Sequence, residues 1–238
     1  MTQARARGPK YQARRQDIVD TAARLFARNG YAETGIAEIG EAVDLARGAL
    51  YYYIGSKEAL LAEIHDRVLD PLLERSKLIM KLNASPAVKV RLISEVLLAQ
   101  IIERQDHVWV FLHEYRALTG QPRKTFRAKR EQFEQHLADL FAEGTVEGAF
   151  AIADLETTTL AFLGMHNYTY QWIRSRKTTP EALSEFYCSL FFRGILAGPE
   201  APYKATELDE ARMALAGLSG APAQASPAVR PRRRDARR

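Results

Sequence analysis

Apolar residues recur at helical spacing along most of the chain, and no stretch alternates between apolar and polar residues for the length of a strand. Residues 16–30 illustrate this pattern, because Ile18, Ala22 and Phe26 fall on one face of a helix. Comparable periods continue to about residue 198. The sequence therefore predicts an all-α protein with about nine helices.

Glycine, proline and capping residues predict where these helices begin and end. Gly30 is expected to end the first helix, because glycine readily adopts the left-handed conformation found at helix C-termini. Asp44 lies in a tight break between a short second helix and a third over residues 46–53, and Ser56 is expected to cap the fourth. Later helices are expected to begin at Pro86, Pro122, Asp154 and Pro180. Three short helices with a short turn between the second and third are the layout of a helix-turn-helix module.

Composition and charge divide the chain into segments. The net charge of +5 conceals two basic ends around an acidic body, since residues 1–15 contain five basic residues and no acid. We predict a basic disordered arm (1–15), a helix-turn-helix DNA-binding domain (16–62), a helical ligand-binding and dimerisation domain (63–200) and a disordered Ala/Pro/Arg-rich tail (217–238). Basic ends of this kind can bind polyanions, or can be solvated without a partner.

Several classes of function lack the residues that they require. The N-terminus has no apolar segment typical of a secretory signal, and no apolar run approaches the roughly 20 residues that cross a bilayer. The single cysteine, Cys188, excludes a disulfide framework, and the five histidines show no metal-ligand spacing. Glycine-rich phosphate loops and nucleophile motifs are absent from the sequence. We therefore expect a cytoplasmic protein with no membrane partner, no metal, no cofactor and no enzymatic activity.

The third helix has an unusual outer face. At about 100° per residue, Ala46, Leu50 and Tyr53 point to one side, where they can pack on the first two helices. The opposite side presents Arg47, Gly48, Tyr51 and Tyr52. Arginine can bind guanine edges, tyrosine hydroxyls can donate to phosphate, and glycine permits close approach of the backbone, so this face suits a DNA groove. The alternative is that the two tyrosines are surface residues without a partner.

Residues 25–61, LFARNGYAETGIAEIGEAVDLARGALYYYIGSKEALL, resemble the DNA-binding domain of the tetracycline-repressor (TetR) family. The matching positions are Gly30, Tyr31, Thr34, Ile36, Ile39, Gly48, Leu50, Tyr51, Tyr53, Ser56, Lys57, Glu58 and Leu60. The resemblance implies a homodimeric transcription regulator, usually a repressor that a small molecule releases from a palindromic double-stranded DNA operator. It also implies that Arg47, Tyr51, Tyr52 and Lys57 contact DNA, while Leu50 and Tyr53 hold the recognition helix in place.

The DNA-binding segment departs from the family pattern in two respects. Gly35 and Ala49 occupy positions where a hydroxyl residue often meets phosphate, and Asp44 replaces the usual turn glycine. In addition, residues 16–55 contain three arginines against six acidic residues, so the segment is itself acidic. We therefore expect the N-terminal arm to supply phosphate contacts. The predicted DNA-binding residues are Arg5, Arg7, Arg14, Thr34, Arg47, Gly48, Tyr51, Tyr52 and Lys57.

The larger C-terminal part contains aromatic residues with a few polar atoms, which is typical of a small-molecule cavity and equally of an aromatic core. The basic run RKTFRAKR (123–130) suits an acyl chain attached to a phosphate-rich group, or is a solvated charged face. HEYR (113–116) and GMHNYTYQW (164–172) also resemble acyl-CoA-responsive members of the family. The predicted ligand-binding residues are Trp109, His113, Tyr115, Arg116, Arg123, Arg127, Arg130, Phe133, Phe162, Met165, His166 and Tyr170.

Dimerisation is expected through the last two predicted helices, 155–176 and 180–198. Helix 155–176 is apolar on nearly all sides, which is typical of a helix buried on all sides. In the TetR family the last two helices of each subunit form a four-helix interface, although one thick monomer core is the alternative. The predicted interface residues are Trp172, Leu183, Phe186, Tyr187, Leu190 and Phe191.

The sequence thus predicts a homodimeric repressor whose effector is an acyl-CoA thioester of lipid, sterol or aromatic-acid catabolism. One alternative is a regulator of efflux or other genes that responds to a hydrophobic, drug-like ligand. An all-α enzyme and a constitutive DNA-architectural protein are alternatives from other classes. The absence of catalytic motifs argues against the enzyme, and the large aromatic-rich second part argues against the architectural protein.

Overall fold

The computed structural model describes residues 8–195 and 204–218, which form ten α-helices. They are α1 (Pro9–Asn29), α2 (Ile36–Ala42), α3 (Arg47–Ile54), α4 (Lys57–Met80), α5 (Pro86–Glu103), α6 (Gln105–His113), α7 (Gly120–Val146), α8 (Leu155–Asn167), α9 (Pro180–Ile195) and α10 (Ala205–Leu218). Short 3₁₀ segments cover Tyr115–Ala117, Tyr168–Gln171 and Ile173–Ser175. The predicted all-α fold is confirmed, and none of the described helices has the length and apolarity needed to span a bilayer.

Most of the predicted helix ends are confirmed by their local chemistry. Gly30 follows α1 with a φ of 88°, and its N–H donates to the Phe26 carbonyl oxygen. Ser56 caps α4, because its hydroxyl oxygen accepts from the Ala59 N–H at 3.0 Å. Asp154 caps α8 in the same way, accepting from the Thr157 N–H at 3.0 Å. These caps satisfy N–H groups that have no partner inside their own helix.

The turn between α2 and α3 forms without the glycine usual in the family. Asp44 has a φ of 51°, which makes it the one non-glycine residue with positive φ in the described part of the chain. Aspartate tolerates the left-handed region better than most residues. The helix-turn-helix is therefore preserved with an acidic residue in its turn.

Two helix boundaries and the number of helices differ from the sequence prediction. The first helix begins at Pro9, so residues 9–15 are helical and do not form the disordered arm predicted for 1–15. The eighth helix ends at Asn167, and 3₁₀ turns replace the expected continuation to residue 176. A tenth helix, α10, was not predicted, and its last two residues overlap the tail predicted to be disordered from 217. Residues 1–7 and 219–238 of the predicted arm and tail lie outside the described residues.

Two hydrophobic cores meet along α4. The first core belongs mainly to α1–α3 and the N-terminal half of α4, and the second to α5, α7, α8 and α9. The first core also includes Val110, Leu118 and Phe126, which lie far beyond the predicted boundary at residue 62. Because α4 lines both cores without interruption, the DNA-binding part and the larger part share one continuous helix.

Candidate nucleic-acid interface and ligand cavities

The third helix presents one buried and one exposed face, but Ala46, which was predicted on the buried side, is exposed because it precedes the first residue of the helix. Leu50 and Ile54 are buried against α1, α2 and α4, whereas Arg47 and Gly48 are exposed. Tyr52 is 63% exposed, and the Arg47 guanidinium lies 5.7 Å from the centre of the Tyr51 ring. A Cβ atom added to Gly48 would meet no atom within 4 Å, so the protein itself does not require glycine there. The open surface at Gly48 permits close approach by a ligand outside the chain.

The tyrosine run is partly explained from within the protein. The ring of Tyr11, on the N-terminal turn of α1, stacks on Tyr53 at 4.9 Å and meets Tyr52 edge-to-face at 5.7 Å. Arg15, also on α1, donates to the Tyr53 carbonyl oxygen at 3.3 Å and pairs with Glu63 at 2.5 Å. The start of α1 therefore supports the C-terminal end of α3. The sequence reasoning assigned residues 9–15 to an arm and so missed these contacts.

Three residues that were predicted to contact DNA form hydrogen bonds with other groups of the protein. Thr34 is fully buried and donates to the Gly30 carbonyl oxygen at 2.8 Å, so it cannot reach phosphate in this conformation. The Lys57 ammonium donates to the Ala32 carbonyl oxygen at 3.3 Å and lies 4.3 Å from the centre of the Tyr31 ring. Arg14 donates to the Val43 carbonyl oxygen and pairs with Asp17 at 2.9 Å. Arg5 and Arg7 lie outside the described residues.

Gly40 is a structural residue of the helix-turn-helix that the sequence reasoning did not single out. A Cβ atom at this position would lie 2.8 Å from the Leu45 carbonyl oxygen. The Leu45 N–H donates to the Gly40 carbonyl oxygen at 2.9 Å, so the turn folds directly back on α2. This close backbone approach needs a residue without a side chain.

An apolar cavity of about 200 Å³, here called the bundle cavity, lies among α4, α5, α6, α7 and α8. Its walls include Leu69, Leu72, Leu97, Phe133, Leu160 and Leu163. Only Arg130 and Glu134 among its lining residues are charged, and they pair with each other at 2.7 Å. The chemistry of the cavity suits an apolar group that enters beside an arginine.

A second cavity of about 290 Å³, here called the arginine groove, lies next to the bundle cavity. It is lined by Tyr115, Arg123, Phe126, Arg127, Arg130, Glu131 and Glu134, and three of these residues (Tyr115, Arg130 and Glu134) line both cavities. Arg127 pairs with Glu131 at 3.8 Å, and Arg123 has no carboxylate partner among residues 8–195 and 204–218. Arg116 donates to the Tyr115 hydroxyl and lowers the pKa of that phenol. The basic run predicted from sequence therefore lies beside an apolar cavity.

The other predicted ligand-binding residues do not line the bundle cavity. Phe162 and His166 are fully buried in the second core. Met165 is half-buried against that core. The His166 ring nitrogens bond to the Phe162 carbonyl oxygen at 2.7 Å and the Ser94 hydroxyl at 2.6 Å, and burial lowers its pKa to about 4. Trp109 and Tyr170 line a separate cleft against α1.

Comparison with known proteins decides the family of this chain. Residues 18–64 match the family described as "Bacterial regulatory proteins, tetR family", and residues 83–195 match "Tetracyclin repressor-like, C-terminal domain". A TetR-family transcriptional regulator from Bordetella parapertussis is 31% identical, with a TM-score of 0.68 over 74% of this chain and 93% of its own. The chain belongs to the TetR family. It is therefore a DNA-binding transcriptional regulator, and its family is not an enzyme family.

Two further TetR-family proteins are similar over most of their length. The transcriptional repressor KstR2 of Mycolicibacterium smegmatis is 25% identical over 188 residues, which cover 77% of this chain and 91% of that protein. AibR, solved in complex with isovaleryl coenzyme A and operator DNA, is 26% identical. Its TM-score is 0.67, over 75% of this chain and 98% of its own.

The surface of α9 in this TetR-family chain is only partly as predicted. Phe186 and Leu190, one helical turn apart, are 60% and 57% exposed and form an apolar pair. Leu183 and Tyr187 are instead buried within the protomer, where the Tyr187 hydroxyl bonds to Thr169 at 2.8 Å. Phe191 packs on the rings of Phe141 and Phe162, and Trp172 packs against the same core. Of the six predicted interface residues, Phe186 and Leu190 have side chains mainly on the surface.

The two halves of this TetR-family chain are also joined by polar contacts. Glu114, next to the cavity-lining Tyr115, accepts from the Tyr31 N–H at 3.0 Å, and Tyr31 lies in the turn after α1. His107 on α6 lies 3.2 Å from Asp20 on α1, and burial lowers the pKa of this imidazole to about 4. These contacts join α1 and the turn after it directly to α6 and the segment that follows α6.

Proposed function

We propose that this chain is a homodimeric transcriptional repressor that binds a palindromic operator and is released by an acyl-CoA thioester. The DNA contacts come from the exposed face of α3, with Arg47 and the hydroxyls of Tyr51 and Tyr52 facing the major groove. The dimer forms through the apolar pair Phe186 and Leu190 on α9. In such a dimer the two α3 helices fit half-sites about 34–36 Å apart, one turn of DNA.

The observation that most supports the effector class is the junction of the bundle cavity with the arginine groove. Tyr115 and Arg130 line both spaces, so a single ligand can place an apolar group in one and anionic groups in the other. An acyl-CoA has this chemistry, with an acyl group joined through a pantetheine arm to a phosphate-bearing nucleotide. The ion pairs of Arg127 and Arg130 are exposed and contribute little stability, so phosphates can replace the carboxylates at low cost. AibR, with its isovaleryl coenzyme A complex, adds independent support.

The size of the bundle cavity favours a short acyl group. Its volume of about 200 Å³ is below the ~300–1,000 Å³ typical of sites for drug-sized ligands. A branched or linear chain of a few carbons fits such a space better than a fused ring system. Among acyl-CoA classes, short-chain thioesters are therefore the expected effectors.

Release from DNA follows from the position of Tyr115 between the cavity and the DNA-binding part. A ligand that displaces Tyr115 also displaces its neighbour Glu114, whose bond to Tyr31 holds the turn after α1. The DNA-binding parts then change their orientation relative to the bundle. The change in operator-binding free energy cannot exceed the difference in effector-binding free energy between the two conformations.

The test combines native mass spectrometry with calorimetric titration of isovaleryl-CoA, using free coenzyme A and isovalerate as matched controls. We expect a dimer that binds the thioester at least tenfold more tightly than either control, because the two cavities act on one ligand. The double change R123Q/R127Q should weaken thioester binding, while K81Q, which changes an exposed lysine just after α4, should not. A monomer, or equal binding of the thioester and free coenzyme A, would contradict the proposal.

A further inference from the structure

A cleft of about 470 Å³, here called the junction cleft, lies between α1 of the DNA-binding part and α6 with the 3₁₀ segment Tyr168–Gln171. Arg24 and Arg28 line it from α1, and Trp109 and Tyr170 line it from the opposite side. It has no lining residue in common with the bundle cavity or the arginine groove. Its volume falls within the range typical of small-molecule sites. The acyl-CoA proposed above would bind in those two spaces and would leave the junction cleft empty.

One side of the junction cleft is an aromatic wall whose rings are held in place. The Trp109 indole stacks on the His113 imidazole, with ring centres 4.5 Å apart and planes 18° apart. His113 Nδ1 donates to the Trp109 carbonyl oxygen at 2.8 Å, so in the neutral ring Nε2 accepts from the Tyr170 hydroxyl at 3.0 Å. Gln171 also donates to that hydroxyl. The hydrogen bonds hold the His113 and Tyr170 rings, and stacking on His113 holds the Trp109 indole, so a flat ligand finds a prepared surface.

The facing side of the cleft contains two positive charges that the protein does not neutralise. Arg24 and Arg28 lie one turn apart on α1, and neither pairs with a carboxylate anywhere in residues 8–195 and 204–218. Within that part of the chain, the one hydrogen bond that the Arg24 side chain donates goes to the Thr21 hydroxyl, at 2.9 Å. The third arginine of the cleft, Arg174, is already paired with Asp106. Planar guanidinium groups bind carboxylates through paired hydrogen bonds and also pack on aromatic rings.

We infer that the junction cleft is a second ligand site, one that binds an aromatic carboxylate. The ring of the ligand packs against Trp109 and Tyr170, and its carboxylate is bound by Arg24 and Arg28. Such a ligand differs in class from the acyl-CoA thioester, since it is compact, planar and carries its charge directly on the ring. Because the two sites share no lining residue, one protein molecule can hold both ligands at the same time.

Occupation of the junction cleft has a consequence for DNA binding. The ligand touches α1, which belongs to the DNA-binding part, and α6, which belongs to the larger part, so it stabilises their present arrangement. By linkage, it raises the effector concentration needed to change that arrangement. This consequence rests on the proposed function, whereas binding of the carboxylate in the cleft does not.

Binding is tested by the fluorescence of Trp109 in the variant W172F, which leaves Trp109 as the remaining tryptophan of two. Benzoate, 4-hydroxybenzoate and phthalate are the probes, and benzamide is the uncharged control. We expect a saturable change in emission with at least one carboxylate and none with benzamide. The double change R24Q/R28Q should weaken that binding at least tenfold, and the surface change K81Q should leave it within twofold. Calorimetric titration of the unaltered chain gives the same affinity without W172F.

Three results would overturn the site: no saturable binding of any carboxylate, equal binding of benzamide, or equal weakening by R24Q/R28Q and K81Q. None of these measurements requires an operator or an acyl-CoA, so they stand apart from the test of the proposed function. In operator-release assays, a bound carboxylate should raise the half-effective concentration of isovaleryl-CoA. A lower or unchanged concentration would overturn the stabilising role of the ligand.

Discussion

Gly40 and Gly48 lie eight residues apart in the helix-turn-helix and serve different purposes. At Gly40 an added methyl group would collide with the Leu45 backbone, whereas at Gly48 it would point into open space. We predict that G40A lowers the free energy of unfolding by about 1–3 kcal/mol, as overpacking of a rigid site does. The matched variant G48A should not destabilise the fold, since alanine favours helix more than glycine does.

The variants G40A and G48A also separate effects on folding stability from effects on operator binding. G48A should weaken operator binding while its thermal unfolding stays unchanged or improves, because its methyl group occupies the surface where DNA approaches. Thermal unfolding and operator titration of both variants check this expectation. If G48A bound operator as well as the unaltered protein, close backbone approach at α3 would be refuted.

Arg47 is the exposed residue of α3 best suited to bind a base edge. We predict that R47A costs about 1–3 kcal/mol of operator affinity and relaxes selectivity at one base pair. R28A removes the same charge from the DNA-binding part but away from α3, so it should reduce affinity less and leave selectivity intact. Binding to operator fragments recovered by selection from genomic DNA, and to their single-base variants, measures both quantities. Equal effects of the two changes would argue against base contact by Arg47.

At the scale of elements, the N-terminal turn of α1 is the support of α3. Y11A removes a stacked and an edge-to-face aromatic contact, each worth about 0.5–1.5 kcal/mol. We expect hydrogen exchange at the C-terminal amides of α3 to accelerate, and the free energy of unfolding to fall by about 1–2 kcal/mol. Y168A, which truncates a tyrosine that is 66% exposed, is the control and should change neither. Unchanged exchange in Y11A would mean that α3 is held by its buried face alone.

Elements with a strong apolar period or a clear cap could be predicted from sequence, and those without could not. The helix-turn-helix followed from Leu50 and Ser56, because burial and capping are local signals. The start of α1 was missed because its basic residues suggested a solvated arm, while Tyr11 finds its partner 42 residues away. Helix α10 was missed because its buried face is limited to Leu208, Ala211 and Leu215.

The candidate sites show the same limit. The proximity of Arg130 to an apolar cavity was predictable, since both lie on or beside one helix. The placement of Trp109 and Phe133 in different cavities could not be predicted. Periodicity shows which face of a helix is apolar but does not show which neighbouring helix that face packs against. Likewise, Phe162 and His166 are residue types that often line binding sites, but both are fully buried in the core. Only the packing of α8 against α5 and α9 distinguishes these outcomes.

For the whole molecule, buried histidines make stability depend on pH. Burial lowers the pKa of His107 and His166 to about 4 in the folded state, against about 6.5 in an unfolded chain. The folded state therefore binds fewer protons, so its stability is complete above about pH 6.5 and is lost as pH falls towards 4. At pH 5 each of the two histidines should lower the free energy of unfolding by about 2 kcal/mol relative to pH 7.

Denaturant unfolding at pH 7 and pH 5 measures this dependence. H166Q should reduce the difference in unfolding free energy between the two pH values by about 2 kcal/mol. S94A removes the hydrogen-bond partner of His166 but keeps the titrating ring, so it should lower stability at pH 7 and retain the pH dependence. A full pH dependence in H166Q would show that His166 does not titrate as its burial indicates.

The shared first core limits how freely this regulator can be recombined. Val110, Leu118 and Phe126 complete the core beneath the DNA-binding helices, although all three lie in the larger C-terminal part of the chain, which contains the bundle cavity and the arginine groove. A chimera that joins residues 18–64 to the sensor half of another regulator would leave these positions to unmatched side chains. A successful chimera should therefore carry Val110, Leu118 and Phe126 together with residues 18–64, so that the core beneath the DNA-binding helices keeps its matching side chains.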